Sequence, residues 1–362
     1  MRRWLKPVLI ALALLLVAAG LWIWFAFLRV FFVKPGHGGA HLHLTAKALA
    51  GSRQGESGFI DSQGPLARLD KPIRLAKLGA TTVVFADINN HAIRSMDLEG
   101  RVHTLAGGPD KAGYQDGPAE TARFKSPHGV AVRADGAIAV AEVGNNTIRL
   151  LMPRGNGGYE VMTLAGSGGR SGMQDGPAAT ARFSSPHAVL WGPAGELFVA
   201  DIGNARVRRI QNGQVSTVAG DGHRGLQDGF PGRLSWPMDL CLDDQGTLWI
   251  ADCGTLTLRT WRPETGLGTP FPGLQMAMPH GISSRGEQVL VAEMNGQRIL
   301  AFDRRNGQVS TLYGNGQRGF GEGELNRPAA LLADGDRLWV ADLYNHRILA
   351  LALPTGGLTK RD

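Results

Sequence analysis

Cysteine is nearly absent: the 362 residues hold two, Cys241 and Cys253. Two isolated cysteines make neither a zinc knuckle nor a thioredoxin-like pair. In the hairpin DLCLDDQGTLWIADCG the turn falls near Asp244 and Gln245, so Cys241 is expected to face Leu248 rather than Cys253, and no disulfide is predicted. Also missing are a phosphate-binding loop, a dinucleotide fingerprint, an HExxH pair and a nucleophile elbow, and nothing marks a Ser/His/Asp triad. Spread-out positive charge is missing too. The formal net charge is +7, but Arg2, Arg3, Lys6, Arg29 and Lys34 supply five of those charges with no acid among them. The rest of the chain is close to neutral, which argues against a nucleic-acid partner.

What is abundant is glycine, at 51 residues, with recurring Asp-Gly and Asn-Gly pairs. That load suits many short antiparallel strands joined by tight turns. One apolar run stands apart. Residues Pro7 to Leu28, PVLIALALLLVAAGLWIWFAFL, carry no charge, and at about 1.5 Å per residue such a helix crosses the roughly 30 Å hydrocarbon layer. Cleaved signal peptides have shorter apolar cores, and no small-residue cleavage site follows Val33. The expectation is an uncleaved anchor, residues 1–33, in a single-pass inner (plasma) membrane topology. The flanking charges put the N-terminus in the cytoplasm and the rest in the periplasm or outside the cell.

The remainder is a repeat. A proline opens an apolar run, an Ala-acid pair follows, and then a turn. The copies start at Pro72, Pro127, Pro186, Pro237, Pro279 and Pro328, and the acid comes 14 or 15 residues later, at Asp87, Glu142, Asp201, Asp252, Glu293 and Asp342. Period-two alternation broken by turns gives three strands per copy, and TLAG-like elements (Thr104–Gly107, Thr163–Gly166) mark a fourth. Four strands per unit is the pattern of a propeller blade. The last copy lacks its fourth strand, while Lys47–Gly51 (KALAG) precedes the first. The N-terminal strand is therefore expected to close the last blade of an all-β, six-bladed ring over residues 45–355, with a linker at 34–44 and a tail at 356–362.

With TLAG, then DGP, then ARF before the proline, these units resemble the NHL repeats of bacterial propeller proteins. The resemblance implies a six-bladed fold and leaves function open. The loop acids Asp61, Asp116, Asp175 and Asp228 lack the alternating acids of a calcium site, so each is expected to fix a turn by accepting backbone N–H bonds. The acid after alanine is expected to bond the turn that follows it, where Asn90, Asn145, Asn204 or Asn345 stands three residues on.

Function is sought where the repeats differ. After the opening proline stand His128, His187 and His280 in three copies, and Ile73, Met238 and Ala329 in the others. All six should ring one mouth of the central channel, where three imidazoles could hold a divalent ion, with Asp239 nearby. Peptidyl-hydroxyglycine lyase domains are also NHL-like propellers whose zinc ligands are histidines of Pro-His pairs. That likeness implies His128, His187 and His280 as ligands, although here they come from blades two, three and five instead of alternate blades. The copies with His128 and His280 also carry glutamate, Glu142 and Glu293, where the others have aspartate.

Two functions follow. The leading expectation is a membrane-tethered, extracytoplasmic module that binds a protein, peptide or glycan. The alternative is a metal-assisted lyase or lactonase-like hydrolase at the channel mouth, with Glu142 or Glu293 as general base.

Overall fold

The computed structural model describes residues 42, 44–155 and 157–354. Within them lie six antiparallel sheets arranged as blades. The innermost strands run Pro72–Leu78, Pro127–Val132, Pro186–Trp191, Pro237–Leu242, Pro279–Arg285 and Pro328–Asp334, for blades one to six. Neighbouring inner strands touch all the way round, including blade six against blade one. The closing strand is Ala46–Ala50, antiparallel to Arg347–Ala352 at the outer edge of blade six, as the displaced KALAG element predicts. Among the described residues no helix is long and apolar enough to cross a membrane. The expected helix at Pro7–Leu28 and the tail at 356–362 lie outside the described residues, as does the linker except for residues 42 and 44.

Alternation along each strand puts small and aliphatic side chains on both blade faces, and the blades bury those faces against one another. Leu49, Trp339 and Ile348 of blade six share one core cluster with Val84 and Phe85 of blade one, which seals the ring apolarly at the seam. Cys241 and Cys253 are buried and free. Cys241 pairs with Trp249, not Leu248; the turn extends one residue further than the sequence pattern indicates.

The proline and the acid of each repeat are one rung of the ladder: Pro72 opposes Asp87, Pro127 Glu142, Pro186 Asp201, Pro237 Asp252, Pro279 Glu293 and Pro328 Asp342. As expected, the acids Asp87, Glu142, Asp201 and Asp342 each accept from the asparagine three residues on. They also bind something the sequence pattern hides, a buried arginine on the third strand. Arg94, Arg149, Arg208 and Arg259 are fully buried and stand seven residues after their acids, whereas Arg298 and Arg347 stand five after theirs. In blades one to four the same guanidinium reaches the loop acid Asp61, Asp116, Asp175 or Asp228. These loop acids accept from the fourth strand, at Thr104 N, Thr163 N and Thr217 N, or at Thr269 N just beyond it in blade four. The expected contact with their own turn is replaced by a strap from loop to outer strand, because the buried cation needs the second carboxylate.

Candidate functional site at the channel

Each inner strand begins with a bulge, one extra residue that interrupts the register and re-aims its side chain. In five blades that residue follows the proline: His128, His187, Met238, His280 and Ala329. In blade one the bulge comes one residue later. Ile73 pairs with Ala86 and is buried, and Arg74 occupies the bulge with φ 43°. The bulge ring at the channel is thus Arg74, His128, His187, Met238, His280 and Ala329, and all six, together with the expected Ile73, line one small cavity of about 10 Å³. That is the size of a single water. The inner strands crowd here: a Cβ on Gly129 would sit 2.7 Å from the His187 carbonyl oxygen, and one on Gly281 would sit 2.7 Å from that of Ala329.

Arg74 is the residue that the repeat alignment misplaces. Its available signal is an arginine standing where the other inner strands have Gly129, Ala188, Asp239, Gly281 and Ala330. The side chain, 9% exposed, reaches from blade one to blade four and forms an ion pair with Asp239, 3% exposed. It also donates to the carbonyl of Leu240 at 3.1 Å. Asp239 in turn accepts from Leu240 N at 2.7 Å and from Ile282 N of blade five at 3.0 Å. Burial raises the Asp239 carboxyl and the facing Arg74 charge opposes that rise. The pair is a plug across the channel, tying blades on opposite sides of the ring.

The histidines follow one rule. His187 and His280 each use Nδ1 on the carbonyl of the bulge residue in the next blade, Met238 O and Ala329 O, both at 2.8 Å, and His128 bonds the His187 backbone. A carbonyl only accepts, so Nδ1 carries the proton and Nε2 the lone pair. Burial lowers all three, His128 to about 3 and His280 to about 4, with mutual repulsion adding to the shift at His128 and His187. All three are neutral at pH 7.

The structure brings His128, His187, His280 and Asp239 together, as expected, but in a geometry of its own. Two imidazoles on one tetrahedral metal, with nitrogen at about 2.0–2.1 Å, hold their ring centres about 5 Å apart. His187 and His280 lie 5.2 Å apart and His128 and His280 6.4 Å, but the ring centres of His128 and His187 are only 3.5 Å apart, their planes tilted by 43°. Ring centres that close do not fit a shared tetrahedral ion, and Asp239 already neutralises a guanidinium. Among the described residues no group of three His, Cys, Asp or Glu side chains is disposed to hold a metal.

The expected general bases are placed elsewhere. Glu142 and Glu293 have no exposure and are absent from the cavity lining. Glu142 accepts from Lys125 N, Asn145, Thr147 and Arg149, and Glu293 from Ala277 N and Arg298. Their extra methylene serves the same arginine-and-turn network as the aspartates, so the Glu/Asp difference carries no catalytic geometry.

No family model matches the chain. Human NHL repeat-containing protein 2 is 25% identical over 331 residues, which cover 75% of this chain and 45% of that protein. The chain thus spans less than half the length of this relative. Among solved structures, an auxiliary nutrient binding protein from Bacteroides thetaiotaomicron aligns with TM-score 0.63 at 13% identity, over 85% of this chain and 76% of the other. A gluconolactonase from Xanthomonas campestris aligns with TM-score 0.57 at 16% identity, over 89% of this chain and 99% of the other. Identities this low establish the fold alone. The Pro-acid rungs, the ring they build and the NHL-containing relative converge on one identification: the chain is a six-bladed NHL-repeat β-propeller.

Proposed function

We propose that this propeller is a binding module for a protein, peptide or glycan, not for nucleic acid, and that it is held at the outer face of a membrane by the apolar run Pro7–Leu28. The observation that carries the binding reading is the plugged channel. A cavity of about 10 Å³ bounded by the Arg74–Asp239 pair has no room for a substrate beside three packed histidines. The loop face, in contrast, exposes large apolar side chains at corresponding loop positions: Tyr114, Met173 and Leu226, each two residues before the loop acid and 44–54% exposed. They offer a partner one apolar contact per blade on three neighbouring blades. The membrane part rests on the sequence pattern of residues 1–33.

A second reading, the metal-assisted lactonase or lyase, draws support from the Nδ1 bonds of His187 and His280, which leave the lone pair on Nε2, from His128 beside them, and from the fold shared with a gluconolactonase. The test is turnover of glucono-lactone by the full chain in detergent with added Zn²⁺, Ca²⁺ or Mg²⁺. The binding reading expects the buffer rate throughout. Metal-dependent turnover that disappears in His187→Ala would overturn it.

A further inference from the structure

Two residues before the bulge in blades two to six, and three before it in blade one, the residues preceding the six prolines form a second ring at the mouth: Lys71, Ser126, Ser185, Trp236, Met278 and Arg327. Five of them have φ between 50° and 66°, and their backbone is pinned. Lys71 N and Ser126 N donate to Nδ1 of His346 and His91, each at 3.1 Å; Ser185 N to Asn146 and Arg327 N to Gln297; Trp236 N donates to Asp252 at 2.7 Å. The rim is therefore built, and its two halves differ in chemistry.

On blades six, one and two it is cationic. Lys71 and Arg327 flank the exposed Tyr344 ring at 5.3 and 5.1 Å, and exposed Lys125 stands beside Ser126. Among the described residues none of the three has a carboxylate within ion-pair distance. The nearby Asp70 accepts from the Asn89 amide and lies 3.2 Å from His346 Nδ1, and the acids that end the second strands are buried on their arginines. On blades four and five the rim is apolar, with Trp236 held under Arg224 at 5.6 Å, then Met278.

Resting on the binding reading above, we infer that this mouth docks an acidic polypeptide segment, its carboxylates on Lys71, Lys125 and Arg327 and an apolar side chain on Trp236 and Met278. A peptide presents both chemistries within a few residues. An acidic glycan lacks the large apolar group. A nucleic acid needs a longer basic track than three residues on a nearly neutral domain.

The test is panning of a random dodecapeptide phage library against the full chain in nanodiscs, followed by fluorescence anisotropy with the most enriched peptide. The expected result is enrichment of Asp and Glu next to an aromatic or aliphatic residue. Binding should weaken at least tenfold in Lys71→Glu/Lys125→Glu/Arg327→Glu and several-fold in Trp236→Ala, and fall steadily between 50 and 300 mM salt on the unaltered chain, a readout that needs no variant to fold. Peptides without acidic enrichment, salt-independent binding, unchanged affinity in the charge-reversed chain, or displacement by a mixed-sequence oligonucleotide ahead of free peptide would each overturn the docking site. Peptides bound elsewhere leave the binding reading standing, whereas lactone turnover removes that reading itself.

Discussion

Asp239→Asn is expected to destabilise the propeller by about 3–5 kcal/mol, the cost of stranding one member of a buried ion pair. Asp239 accepts from Arg74 and Leu240 N on one carboxylate oxygen and from Ile282 N on the other, so the substitution removes the negative charge facing the guanidinium and turns one of the two acceptors into an amide donor. Arg74→Met alone is expected to cost a similar amount by leaving the carboxylate uncompensated. The double variant Arg74→Met/Asp239→Asn, which removes both charges, should recover most of the loss, because removing both members of a buried pair costs far less than stranding one. Denaturant melts of the four proteins give the coupling. Independent losses that simply add would show that the pair is not the plug described.

The second large effect is on acid stability. His128, His187 and His280 are held below the ordinary value of 6.5, and so, by burial and neighbouring lysines, are His91 and His346. A histidine whose folded value is depressed binds fewer protons folded than unfolded. Its contribution is complete above about pH 6.5 and is lost as pH falls toward the folded value. For His280, from 6.5 to about 4, that is on the order of 3 kcal/mol. Several blade acids act in the opposite sense. Burial raises Asp87 to about 6, and Glu142, Asp201, Asp252 and Asp342 are also raised, so their protonation favours the folded state as pH falls. The comparison must cancel these. His128→Gln/His187→Gln/His280→Gln keeps an amide donor for the next blade's carbonyl and removes only the imidazoles. Between pH 6.5 and 4 it is expected to lose clearly less stability than the unaltered chain, measured as urea midpoints. Parallel pH profiles would contradict neutral buried histidines.

Most of the ring was legible because its two most regular residues are partners. A proline and an acid 14 or 15 positions apart are the two ends of one hairpin rung, so their spacing counts blades directly. The closing strand was legible for the same reason: a repeat missing at one end and present at the other has one place to go. The arginine network was not, since the guanidinium shifts from seven to five residues after its acid in the last two blades, and on an alternating strand it reads as a solvent position. The site was half legible. Pro-His pairs point to the channel whatever their role, but the bulge moves by one residue in blade one, so the sequence pattern puts Ile73 where Arg74 stands. That slip hides the cation that engages Asp239, and with it the plug. The close approach of the His128 and His187 rings comes from their adjacent blades and is a property of the closed ring, not of either strand.

The central claim, that the channel is closed by its own side chains, meets its most direct test in a crystal structure of the full chain soaked in excess zinc. The account expects Arg74 still paired with Asp239, the His128 and His187 rings still in close contact, and no metal between the three imidazoles. A zinc ion bound by His128, His187 and His280, with Arg74 swung away from Asp239, would contradict it.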